Sequence, residues 1–383
     1  MITLIRNARV LSPEPLGIRD VLIAGDRIAA IENQVELAGN SVEFIDAEGR
    51  WLMPGFVDAL THPCGGGGEG GFGNRTRELE AGDFVAGGVT TPVGALGTDA
   101  VTRSLEVLFG QVMKLRNRGL SACMFSGSYR VPPNTLTGDV VRDLVLIEPV
   151  IGVGELAISD HRSSHPSAEE LRRVASDVHL GGTLSGKGGT LLLHLGDGNE
   201  RLDLVEDILA SSVLPRRLFY PTHCNRNPSL LVQAMEHAKK GCFIDFTVST
   251  TPELIAAGEV PALEALRSSI EAGAPRKNLT LSSDAGGSLP NYVDGELKGL
   301  AEARPSALLD LLREAVSSQD EAPADVIAAL TRNPAEALQL ARKGRIEPGA
   351  DADLLLLDPI DTQLTDVFCL GRRLMRDGQI LTT

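Results

Sequence analysis

Basic charge is in short supply in this chain. Its 36 lysines and arginines face 51 aspartates and glutamates, a net charge of −15 over 383 residues. Nucleic acid needs a basic face, so no nucleic-acid partner is expected. An acidic small molecule would need arginines placed locally against the overall field. Cysteine is scarce too. Cys64, Cys123, Cys224, Cys242 and Cys369 form no C-x-x-C pair, which fits five reduced thiols in a cytoplasmic protein better than a disulfide framework. No apolar run approaches the roughly 20 residues that span a bilayer. The stretch Met1–Arg6 carries no charged leader followed by an apolar segment. The expectation is a soluble cytoplasmic protein with no membrane partner. Aromatics are only 4% of the chain, which argues against an aromatic-rich β protein. What is plentiful is glycine, 41 residues, and apolar side chains, 43%. Together they suit an α/β fold with many tight loops.

Residues 1–53 read as short strands with turns, including a hairpin signal at Gly25-Asp26. From residue 55 the texture changes. Apolar runs at Phe56–Leu60, Thr90–Ala95, Ser121–Phe125, Val150–Ile158, Thr190–His194, Leu218–Thr222, Cys242–Thr247 and Leu279–Ser282 alternate with amphipathic stretches. Those stretches are Arg77–Gly87, Thr102–Arg118, Ala168–His179, Leu202–Ser211, Ser229–Lys239 and Ala262–Ala272. Continuous apolar runs suit strands buried on both faces. Eight of them alternating with helices predict a (β/α)8 TIM barrel over 55–344. An open doubly wound sheet is the alternative, but no glycine fingerprint follows the first strand. After helices near Pro305–Ser317 and Pro323–Leu330 and a short one at Asn333, residues 345–383 return to strand texture. Segments 1–54 and 345–383 are each too small to bury a face alone, so they are expected to pair as a small β-sandwich-like domain.

Barrel enzymes carry their chemistry at the C-terminal ends of the strands. Here those ends hold His62, Tyr129, Glu155, His194, His223 and Asp284. Three of the seven histidines fall at predicted strand ends. Imidazole and carboxylate are ligands that zinc takes in catalytic sites. Taken singly, His194 and His223 could be core histidines and Asp284 a turn aspartate. Glu155 lies inside an apolar run, where a carboxylate is costly unless paired or metal-bound. His161, His165, His179 and His237 read as surface or structural. The loop Gly65–Gly68 lets backbone approach a ligand and is expected to expose N–H donors. Glu69 offers a carboxylate to an amine, and Arg162 and Arg226 offer forks to carboxylates.

In these stretches the chain resembles the amidohydrolase superfamily, and more closely its isoaspartyl dipeptidases. The likeness rests on Pro54-Gly55-Phe56-Val57-Asp58, Gly65-Gly66-Gly67-Gly68-Glu69, Leu96-Gly97-Thr98-Asp99 and Ser128-Tyr129-Arg130-Val131-Pro132. It rests further on Ile158-Ser159-Asp160-His161-Arg162-Ser163, Pro221-Thr222-His223-Cys224-Asn225-Arg226-Asn227 and Thr280-Leu281-Ser282-Ser283-Asp284. The resemblance implies a metal-dependent hydrolase of β-aspartyl dipeptides and a homo-oligomer. It implies that Glu69 holds the substrate amine, that Arg162 and Arg226 take carboxylates, and that Gly67, Thr98 and Ser288 add hydrogen bonds. Tyr129 would polarise the scissile carbonyl, and Asp284 would be general base and then acid. The metal set departs from the family twice. His-x-His is usual at the first strand, and here the triplet is Leu60-Thr61-His62. A carbamylated lysine often bridges, and here the residue is Glu155. The expectation is one tightly held zinc on Glu155, His194 and His223. A second site on His62, Asp284 and a share of Glu155 is expected to be weak or absent. Two rival readings are hydrolysis of another N-acyl amino acid or cyclic amide, and a non-enzymatic scaffold.

Overall fold

The computed structural model of the chain describes residues 2–37, 39, 41–293, 296–317 and 323–381, with backbone alone for 290–293 and 296–298. The strands in chain order begin with β1 (Ile2–Leu11), β2 (Pro15–Ala24), β3 (Arg27–Glu32), β4 (Val42–Asp46) and β5 (Trp51–Pro54). Eight more follow: β6 (Phe56–Thr61), β7 (Val89–Gly94), β8 (Cys123–Ser126), β9 (Val150–Ile158), β10 (Thr190–Leu195), β11 (Phe219–Thr222), β12 (Ile244–Thr247) and β13 (Leu279–Ser282). A hairpin, β14 (Ser288–Val293) and β15 (Glu296–Glu302), precedes β16 (Leu354–Leu357), β17 (Leu364–Cys369), β18 (Arg372–Arg376) and β19 (Gln379–Ile380).

Strands β6 to β11 run parallel in sequence order, and β12 pairs parallel with β13. Single contacts close the ring. The Cys224 N–H donates to the Asp245 carbonyl at 3.0 Å, and the His62 N–H donates to the Ala285 carbonyl at 2.6 Å. The result is a (β/α)8 barrel. Neighbouring residues of one strand serve different cores, as a period of two demands. Val57 points into the barrel with Val93, Phe125, Leu192 and Tyr220, while Phe56 packs outward against the helix layer.

Strands from the two ends of the chain share one sheet in the order β19-β18-β17-β16-β5-β1-β2-β3, with β4 beside β1. Its two faces also alternate. Leu52, Leu354 and Leu356 bury into a core of their own with Ile5, Val21 and Phe368, while Trp51, Met53, Leu355 and Leu357 join the barrel's outer core. This sheet is the barrel's small β domain, lying against its outer core.

Helix ends follow local capping. The stretch expected from Arg77 begins as a helix only at Ala81, because Glu80 and Asp83 form a capping box there. The helix expected to stop at His179 runs through Ala168–Ser185. Its Gly181-Gly182 pair does not end it. A Cβ on Gly182 would meet the Gly189 Cα at 2.7 Å, so the pair permits close packing. Among the described residues, no helix is long and apolar enough to cross a membrane.

Candidate active site

All twelve residues singled out from the sequence line one cavity of about 370 Å³ at the C-terminal mouth of the barrel. At its floor lies Glu155, 1% exposed, on β9. One of its oxygens, Oε1, meets His194 Nδ1 at 2.6 Å and His223 Nε2 at 3.0 Å. Burial disfavours the charge on Glu155, but the two imidazoles outweigh burial and hold it well below the usual carboxylate range. Its other oxygen, Oε2, is buried without a hydrogen-bond partner.

His223 and Asp284 both take positive φ, 59° and 54°, just past the ends of β11 and β13. These unusual turns aim the side chains into the cavity. His223 Nδ1 lies 2.6 Å from Thr247 Oγ1, which leaves Nε2 facing Glu155. Burial, and then the neighbouring His194, push His223 down to about 4, so it is neutral at pH 7 and its ring can ligate. His62 Nδ1 sits 3.1 Å from the Ala95 carbonyl, and its Nε2 lies 3.0 Å from Asp284 Oδ1 and 3.6 Å from Glu155 Oε2. Burial opposes its charge, yet the Asp284 and Glu155 carboxylates prevail and raise it to about 9. Gly286, at φ 80°, lets this corner close, since a Cβ there would lie 2.2 Å from the His62 carbonyl oxygen.

The donor set fits a divalent cation. Glu155, His194 and His223 each bring one ligand atom, all within 4.8 Å of one another. Ligands on one tetrahedral zinc stand about 3.3 Å apart, given bonds near 2.0–2.1 Å. The set is borderline nitrogen and oxygen, it is fully buried, and Glu155 Oε2 is a buried acceptor still wanting a partner. Where the family has its first histidine, Leu60 is packed in the barrel interior beside Val57 and Phe125.

The upper wall carries the charged groups. Glu69 Oε1 accepts from Thr98 Oγ1 at 2.7 Å and from Arg162 Nη1 at 3.1 Å, while Oε2 is buried without a partner. Arg162 gives Nε and Nη2 to Asp160 at 2.9 and 2.8 Å. Nη2 also lies 3.2 Å from His194 Nε2, so the N–H left facing a ligand is the second one on Nη1. Arg226 Nε is also buried without a partner. Tyr129 Oη lies 2.9 Å from His194 Nδ1, and burial, with the Glu155 charge, lifts the phenol well above its ordinary value, so it stays a donor. Ser288 lines the same cavity at the start of β14.

Two sequence expectations change here. The glycine loop does not offer a row of free N–H donors. Gly65 donates to the His62 carbonyl, Gly66 to Thr76 Oγ1 and Gly68 to the Asn74 carbonyl. Gly67, between them, lines the cavity, and a Cβ there would lie 2.7 Å from the Asn74 carbonyl oxygen. His161, read as a surface residue, is exposed but stands at the cavity rim. His237 is buried against Glu206 at 2.6 Å, a structural role. Sequence reasoning gave no task to Asp160, Thr247, Asp197 or Glu259, all at or beside the site. Asp160 lies inside the stretch Ile158-Ser159-Asp160-His161-Arg162-Ser163, and Thr247 ends a predicted strand. Both signals were present. Asp197 and Glu259 sit on loops, where strand-end logic does not look.

Residues 222–381 match the amidohydrolase family. Over its full length the chain is similar to the beta-aspartyl dipeptidase of Fervidobacterium islandicum AW-1, solved in complex with a beta-Asp-Leu dipeptide. Identity is 41% and the TM-score 0.92, covering 100% of this chain and 99% of that one. The dihydropyrimidinase of Brevibacillus agri NCHU1002 shares the fold at 17% identity and a TM-score of 0.66, covering 100% and 96%. A dihydroorotase of Elusimicrobium minutum is 48% identical over 61 residues. That match spans 15% of this chain and only 14% of the dihydroorotase.

Proposed function

The chain belongs to the amidohydrolase family, and from that premise we propose that it hydrolyses the isopeptide amide of β-aspartyl dipeptides with one zinc ion. The carrying observation is a pair of buried, unsatisfied groups above the cation set. Glu69 Oε2 is an acceptor wanting a donor, and Arg226 Nε is a donor wanting an acceptor. A free ammonium and a carboxylate on one small ligand would satisfy both, and unpaired buried polar groups are costly. The Fervidobacterium protein, which binds beta-Asp-Leu, is similar along the whole chain.

A cation held by Glu155, His194 and His223 would act as a Lewis acid that acidifies water near neutral pH. Asp284, beside His62 at the mouth of β13, takes the water's proton and later returns one to the leaving amine. Tyr129, kept protonated by burial, donates Oη to the oxygen on which negative charge develops. Glu69 holds the ammonium. Arg162 and Arg226 take the carboxylates, and Gly67, Thr98 and Ser288 complete the wall. His62, Asp284 and a share of Glu155 offer too little for a second ion to bind tightly. We place the protein in the cytoplasm as a homo-oligomer acting on small dipeptides.

The partial likeness to dihydroorotase supports one rival, a cyclic amide or N-acyl amino acid hydrolase. A substrate without a free ammonium leaves Glu69 Oε2 unpaired, so the two readings part on one comparison. We expect β-Asp-Leu to be cleaved at least ~100-fold more efficiently than its des-amino analogue, the difference of about 3 kcal/mol that one charged hydrogen bond supplies. The Glu69→Gln variant should lose most of that preference. Equal rates on the two compounds would favour the rival.

A further inference from the structure

The proposed mechanism gives no task to Asp160, a buried carboxylate beside the cation set. Asp160, 5% exposed, follows β9 closely and touches two parts of the site at once. Its Oδ2 lies 3.0 Å from His194 Nε2 and accepts from Arg162 Nη2 at 2.8 Å. Its Oδ1 accepts from Arg162 Nε at 2.9 Å and from the Arg162 backbone N–H at 2.7 Å. The exposed His161 ring approaches Oδ1 at 3.5 Å from the outside.

We propose that Asp160 is a positioning residue that couples cation affinity to recognition of a substrate carboxylate. The cation half follows from the imidazole. The His194 ring faces one carboxylate at each nitrogen, Glu155 at Nδ1 and Asp160 at Nε2, with Tyr129 Oη 2.9 Å from Nδ1 and Arg162 Nη2 3.2 Å from Nε2. A carboxylate at Nε2 fixes the proton there. The Nδ1 lone pair is then turned to the cation set and made more basic. The substrate half follows from the fork. The same carboxylate takes two parallel N–H groups of Arg162, which allows the planar guanidinium one orientation. In that orientation Arg162 lies 5.2 Å from the Tyr129 ring centre and reaches Glu69 with Nη1. His194, Asp160, Arg162 and Glu69 thus form one continuous chain from cation to amine pocket. Asp160 is the carboxylate link that the cation end and the substrate end share.

The substrate half rests on the dipeptidase reading, and the cation half does not. The test uses the full-length Asp160→Asn variant. Its zinc dissociation constant is measured by competition with a chromophoric chelator, and β-Asp-Leu kinetics are measured at saturating zinc. We expect zinc to bind about 10- to 100-fold more weakly, with KM raised more than kcat is lowered. Arg162→Lys, which spares the Asp160–His194 contact, should raise KM and leave zinc affinity within about twofold. Wild-type zinc affinity in Asp160→Asn overturns the cation half, and an unchanged KM overturns the coupling. If Asp160→Asn does not fold, nitrogen-15 NMR of the zinc-loaded wild type decides. A proton on His194 Nε2 supports the assignment, and a proton on Nδ1 overturns it. A protein that fails to cleave β-Asp-Leu yet shows the zinc and tautomer results refutes the dipeptidase reading and keeps the cation half.

Discussion

At the scale of single residues, the site is a set of carboxylates with different environments and different tasks. Glu155 is held ionised against burial by two imidazoles, Glu69 against burial by a threonine and an arginine, and Asp284 pairs with His62 at 3.0 Å. This division predicts different failures. Asp284→Asn should keep zinc stoichiometry near wild type and lower kcat by about 10²–10⁴, the range of a general base. A wild-type rate in that variant would remove Asp284 from the mechanism. Tyr129→Phe should lower kcat by about 10²–10³, as loss of one oxyanion donor does, with zinc affinity unchanged. The residues legible in the sequence were those at strand ends, because the barrel turns chain position into direction. Asp160 escaped because its partner, His194, is distant in sequence. Only the register of β9 on β10 shows that the two meet. The bonding inside the glycine loop was equally hidden, since Thr76 and Asn74 lie beyond it.

At the scale of elements, the eight barrel strands were readable because each lies in a short, buried and largely apolar run, broken only by single polar residues such as Asp58 and Asp245. Their neighbours were not. The hairpin β14–β15 carries Pro290 and Gly299, residues that argue against a strand. The helix Val140–Leu146, capped by Asp139, has only 7 residues and too little periodicity to stand out. The barrel's closing seam carries its own prediction. Asp58 on β6 accepts from the Ser283 N–H at 2.9 Å and from Ser283 Oγ, tying the first strand to the last. Burial pushes this carboxyl up to about 7, although the two Ser283 donors pull it back. Its folded pKa lies above the ordinary value of about 3.9, so the native state binds the extra proton between those limits. The contribution of Asp58 is therefore full below about pH 4 and lost as pH rises through about 7. Asp58→Asn removes that dependence. The wild-type-minus-variant stability, from urea unfolding at pH 4.5 and pH 7, should fall by up to roughly 1.4 kcal/mol per pH unit. A constant difference would show that Asp58 does not titrate in this range.

At the scale of the whole molecule, one sheet built from both chain ends backs a barrel whose mouth holds the chemistry. Lys343 joins the two, bonding Asp353 at 2.6 Å and Ser121 Oγ at 2.6 Å. A cation held at the barrel floor by three strands should stabilise the folded state by mass action, about 2.7 kcal/mol at a hundredfold excess over Kd. Chelation should therefore lower Tm by several degrees, reversibly with zinc, and Glu155→Gln should show no such response. Protein stripped of metal is titrated with zinc, and leucine release from β-Asp-Leu is followed beside α-Asp-Leu and an N-acyl leucine. We expect activity to rise to a plateau at one zinc per chain, with β-Asp-Leu cleaved far faster than the other two. Cleavage of the N-acyl compound in preference, or full activity with no metal bound, would contradict the assignment.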